Sequence, residues 1–100
     1  MILSHGTLTF PAAHLDTARS MMRDLAAQTR TEPGCLLYQV SENLETPGGF
    51  IISEQWESMD AMQVHLNQPE VGELVEKVKG MGVNDLSITA WSAGEATKIM

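Results

Sequence analysis

Residues 35–57 read CLLYQVSENL, ETPG, GFIISEQWE: two apolar-rich runs about a short polar break. Cys35 to Leu44 and Gly49 to Glu57 read as strands, and the proline and glycine of Glu45-Thr46-Pro47-Gly48 make the break a hairpin connection. Apolar side chains occupy both parities of these runs: Leu36, Tyr38 and Val40 against Cys35 and Leu37, and Phe50, Ile52 and Trp56 against Ile51. Successive strand residues point to opposite faces. The pattern therefore predicts a sheet with apolar groups on both faces, and such an uncovered face usually marks an interface.

Working outward, Met1 to Phe10 is a strand closed by Pro11. From Ala13 to Thr31, residues Leu15, Ala18, Met22, Leu25 and Thr29 recur at spacings of three and four, one apolar stripe of a helix. Glu32-Pro33-Gly34 ends it, because proline disfavours helical geometry in the residue before it and glycine accepts positive φ. Ser58 is a helix cap with Asp60 in the first turn. That helix runs to Leu66, breaks at Asn67-Gln68-Pro69, and restarts with Pro69 at its first position. Val71, Leu74, Val75 and Val78 give the next apolar stripe, with Glu73 and Lys77 as an i,i+4 pair, and Gly80 and Gly82 stop it. Leu86, Ile88 and Ala90 alternate with Ser87, Thr89 and Trp91 in a last strand before a polar tail. The order β-α-β-β-α-β predicts an α+β fold with the split sheet of ferredoxin-like proteins, a single domain over residues 1–100. Helices with one apolar stripe each must share one face of the sheet. Two such sheets meeting on their other faces would form a homodimer.

Composition narrows the function. With 43% hydrophobic and 19% charged residues the chain is globular rather than disordered. A net charge of −7 argues against a nucleic-acid partner, which needs clustered cations. Arg19, Arg23 and Arg30 share a rough helical stripe, but Asp16 and Asp24 lie among them, so a solvated face is expected there. Cys35 is the only cysteine, so neither an intrachain disulfide nor a thiolate zinc cluster is possible. There is no Gly-rich dinucleotide fingerprint and no metal-ligand spacing, so no cofactor and no metal are expected. The N-terminus lacks a secretion pattern and no apolar run approaches the roughly 20 residues of a membrane span, which predicts no membrane partner and a cytoplasmic location.

Glu-Pro-Gly-Cys-Leu-Leu-Tyr (residues 32–38), Phe50, Glu54-Gln55-Trp56-Glu57 and His65-Leu66-Asn67-Gln68-Pro69 resemble the antibiotic biosynthesis monooxygenase family in order and spacing, across nearly the whole chain. The resemblance implies a dimeric α+β barrel with a pocket between the sheet and helices of each copy. It also implies oxidation of aromatic polyketides or quinols by molecular oxygen without flavin, haem or metal. Other members cleave haem or process small signalling molecules, so the fold does not settle the reaction. Quinol oxidation of this kind needs a base, an apolar cavity and contacts that hold the ring. Histidine is the natural base, its ordinary pKa being about 6.5.

Trp56 shares a strand face with Phe50, Ile52 and Glu54 and matches the tryptophan that the family places in its pocket; the ordinary alternative is a core residue. Glu54, a carboxylate among apolar neighbours, needs a partner, expected on a helix. His65 follows Met62 by three residues and Ala61 by four, so it faces inward, more often the place of a core residue than of a base; the resemblance, in which quinol-oxidising relatives frequently have a histidine here, brings the two readings level. Tyr38 matches a tyrosine that recurs after the Pro-Gly turn. His5 is in reach of the pocket or the dimer interface, whereas His14 is expected in solvent. Ile52 stands where the polyketide-oxidising branch has asparagine, and Leu74 or Val75 where it has arginine. The iron-binding histidine of the haem-cleaving branch would also fall near Val75, and its usual tryptophan is replaced by His65. The best expectation is a quinol-monooxygenase-like enzyme acting on a small aromatic substrate, with His65 and Trp56 catalytic and Tyr38, Ile52, Glu54 and His5 binding substrate. The alternatives are a non-catalytic small-molecule-binding or stress-response barrel and, more weakly, an isomerase or decarboxylase. Glu54, His65 and Tyr38 in one pocket would favour the enzyme; a cavity filled by Met21, Met22, Met59 and Met62 would favour the binding module.

Overall fold

A computed structural model describes residues 1–100 as β1 (Ile2–Thr9), α1 (Leu15–Thr29), β2 (Cys35–Glu42), β3 (Gly49–Trp56), α2 (Met59–Leu66), α3 (Pro69–Gly80) and β4 (Asn84–Ser92). The strands form one antiparallel sheet in the order β2-β3-β1-β4, the ferredoxin-like arrangement that the pattern predicts. The first helix is shorter than its stripe suggests, because a 3-10 turn at Ala12–His14 precedes it and His14 offers no side-chain cap. Ser58 does cap α2, its hydroxyl accepting from the Ala61 N–H at 3.1 Å. Pro69 opens α3 after the break at Asn67-Gln68. No helix is long and apolar enough to cross a membrane.

Register fixes what each face of the sheet carries. Across β1 and β3, Ile2 opposes Trp56, Ser4 opposes Glu54 and Leu8 opposes Phe50. Across β2 and β3, Tyr38 opposes Glu54 and Val40 opposes Ile52. These side chains meet Ala18, Met22 and Ala26 of α1, Met62 of α2 and Val78 of α3 in the core. The expected alternation of β2 needs one correction. A register shift between Cys35 and Leu37 leaves Leu36 as an extra residue, 53% exposed, and puts Cys35 opposite Trp56 on the helix side. A bulge inverts side-chain parity, which periodicity alone cannot reveal.

The uncovered face differs from the expectation in composition. The rows Leu37, Gln55, Leu3, Trp91 and Ser41, Ile51, Thr7, Ser87 flank a polar row of Gln39, Ser53, His5 and Thr89. It is apolar at one end rather than throughout.

Candidate functional site

The sheet and helices line a cavity of about 90 Å³ that is open to solvent beside the exposed Leu86 and Ile88 of β4. Its floor is the sheet: Leu8 of β1, Tyr38 of β2, Ile52 and Glu54 of β3, Leu86 and Ile88 of β4. Met22 and Leu25 of α1, Val71, Leu74, Val75 and Val78 of α3, and His65 and Leu66 of α2 complete it. Space remains because α3 contributes only Val78 to the fully buried core. Leu25, Val71 and Leu74 also line a groove of about 220 Å³ between α1 and α3, so these three side chains form a thin wall between the cavity and that groove.

His65 is buried in the last turn of α2. Its Nδ1 lies 3.0 Å and 3.1 Å from the two carboxylate oxygens of Glu32, which is itself bonded by Gln68 Nε2 at 3.0 Å. An ionised carboxylate only accepts hydrogen bonds, so Nδ1 is the donor. The neutral imidazole then carries its free lone pair on Nε2, which has no protein partner and is not sealed from space. A ring nitrogen held this way is the arrangement that keeps a histidine in one tautomer and makes its other nitrogen basic.

Glu54 is 4% exposed, yet both oxygens are engaged: Ser4 Oγ donates to Oε2 at 3.2 Å and Trp56 Nε1 to Oε1 at 3.0 Å. The helix partner expected for it is thus absent. Its partners are on the sheet, because the register sets Ser4 opposite Glu54 and Trp56 two residues further along the same face. Trp56 in turn packs on His65, with ring centroids 5.0 Å apart and planes inclined by 30°. Tyr38 meets the His65 ring edge-on at 5.8 Å. Its hydroxyl has no protein partner, and burial followed by the nearby charge of Glu54 raises its pKa far above the ordinary phenol value. Tyr38 therefore stays protonated and offers a donor. Burial, then the charges of Glu32 and Glu54, likewise raise the pKa of the Cys35 thiol and disfavour the reactive thiolate.

Of the residues predicted for the site, Tyr38, Ile52, Glu54 and His65 line one cavity. Trp56 does not line it but is fully buried against the His65 ring, so it supports the wall rather than forming it. His5 is on the other face of the sheet, exposed, because its neighbour Ser4 takes the inward parity. Met22 is the only methionine against the cavity, so the methionines do not fill it. Sequence reasoning missed Glu32, which read as a turn residue, and Gln68, which read as a helix break. The available signal was that His65 and Gln68 are spaced three apart, so that both can reach one acceptor.

Comparison with known proteins gives the family. The antibiotic biosynthesis monooxygenase model matches residues 1–77. A Deinococcus radiodurans protein assigned to that family is 47% identical and superposes with a TM-score of 0.96, over 100% of this chain and 99% of its own. A Pseudomonas aeruginosa protein (21% identity, TM-score 0.82, 94% of each chain) shares the fold. So does a Nitrosomonas europaea protein (12% identity, TM-score 0.82, 93% of this chain and 98% of its own). No curated protein matches the sequence. The chain belongs to the antibiotic biosynthesis monooxygenase family.

Proposed function

We propose that the protein is a cofactor-independent monooxygenase that oxidises a small aromatic hydroquinone with molecular oxygen, with His65 as the general base. One observation carries this reading: Nδ1 of His65 is anchored on Glu32 while Nε2 is left without a partner at an apolar cavity. A hydroquinone hydroxyl gives its proton to Nε2, and the electron-rich ring then passes electrons to oxygen. One oxygen atom becomes a new ring oxygen, the other leaves as water, and the ring supplies the four electrons. Tyr38 and Glu54 hold the hydroxyls, Ile52 packs on the ring, and Trp56 fixes His65 and Glu54 from behind. An apolar site strengthens these polar contacts by excluding water.

The test is oxygen uptake with a panel of hydroquinones in metal-free buffer. His65→Ala should lose roughly 10²–10⁴-fold in turnover, the usual contribution of a general base. His65→Gln should do no better, since an amide cannot take the proton. A folded His65→Ala protein with normal turnover would reduce His65 to a packing residue.

A further inference from the structure

His65 and Glu54 both line the cavity, and each has acceptor capacity left, on Nε2 and on the carboxylate, while no lysine or arginine lines it. Each oxygen of Glu54 already takes one donor, from Ser4 or Trp56, and a carboxylate oxygen has a second lone pair to offer. Twelve of the fourteen lining residues are hydrophobic, so little in the wall would compensate a buried anion. At about 90 Å³ the space is smaller than the roughly 150 Å³ of an apolar cavity that accepts benzene, so one ring fits only by extending out past the exposed side chains of Leu86 and Ile88, and two rings do not fit.

We propose that the cavity selects an uncharged single-ring ligand with hydrogen-bond donors at opposite ends and rejects the same ring carrying a carboxylate. One donor meets Nε2 of His65 and the other meets Glu54, with Tyr38 bridging as donor or acceptor. An added carboxylate would lie beside the charge of Glu54 in a low-dielectric site with no cation to offset either, and like charges at such separations repel strongly. The inference rests on the cavity being the substrate site, but not on oxidation taking place there.

The experiment is anaerobic titration calorimetry of the full chain with hydroquinone, 4-methoxyphenol, 1,4-dimethoxybenzene and 2,5-dihydroxybenzoate. Hydroquinone should bind, each blocked hydroxyl should cost about ten-fold in affinity, and the carboxylated ring should bind at least roughly 30-fold more weakly. Glu54→Gln keeps the shape and removes the charge, so it should narrow the gap between the neutral and carboxylated rings. Leu74→Lys, at the thin wall, should admit the carboxylated ring even if Glu54→Gln fails to fold. Equal affinity for both rings in the wild type, or binding of neither, overturns the proposal. Selective binding with no oxygen uptake would leave it standing and remove the monooxygenase reading instead. Oxygen uptake without selectivity does the reverse.

Discussion

His65 is placed by three contacts of different kinds: a carboxylate on Nδ1, an indole against one face and a phenol at its edge. Only the first sets the tautomer, so Glu32 is the positioning residue whose loss should be felt most in turnover. Glu32→Gln should lower kcat about 10–100-fold, as removal of a histidine's outer partner commonly does, with a small change in KM. A matching loss of melting temperature with unchanged turnover per folded molecule would make Glu32 purely structural. Tyr38 makes a separate prediction in alkaline solution. Its folded pKa is raised by burial first and by Glu54 second, so the phenol is neutral in both states below about 10, the ordinary value. Above that pH the unfolded chain releases the proton and the folded one keeps it, so stability falls as pH rises, by up to about 1.4 kcal/mol per unit. Urea unfolding at several alkaline pH values should show this slope in the wild type and a shallower one in Tyr38→Phe. His65, Tyr38, Glu54 and Ile52 were legible in the sequence because strand parity and helix spacing give facing directly. Glu32 was not, since its partner is 33 residues away and nothing in a turn tripeptide announces a long-range bond.

The segment from α1 to β2 brings Glu32 to α2, and Gly34 decides how closely. It has φ +83, and a Cβ there would meet the Ala61 side chain at 2.6 Å. Gly34→Ala combines left-handed strain with a clash against α2, for an expected loss of roughly 2–4 kcal/mol in urea unfolding. Adding Ala61→Gly should recover the clash but not the strain. Full recovery would mean that the backbone conformation costs nothing. The elements themselves were readable from periodicity, from the Ser58 cap and from Pro69. Two details were not. The β2 bulge adds a residue without changing composition, and α3 reads as an ordinary amphipathic helix although only Val78 is fully buried. How far a helix stands from its sheet depends on the summed volume of side chains from several elements, which no local pattern encodes.

For the whole molecule, the uncovered sheet face governs assembly, because an antiparallel sheet can either leave one side in water or bury it against a partner. Its central row is polar, and that alone would suit a monomer. The end row is different: Leu3 is 39% and Trp91 54% exposed, and the register sets them side by side with Leu37 two strands away. We propose that this row anchors a homodimer about a twofold axis, the same patch serving both copies. His5, in the polar row, would then face the partner copy rather than the cavity. Each copy carries a net charge of −7, so association should weaken at low ionic strength, where that repulsion is least screened. Sedimentation at micromolar concentration should give twice the chain mass, with a melting temperature that rises with concentration. Leu3→Lys puts a charge into the apolar row and should release monomers; Ile51→Lys, in the more isolated row beside Thr7 and Ser41, should do so less completely. If the wild type sediments as a monomer at high concentration, Trp91 is simply a solvent-facing residue and the site must work within one copy. If it is a dimer that Leu3→Lys leaves intact, the copies meet on another surface, and the helix side with its exposed Leu86 and Ile88 becomes the place to look.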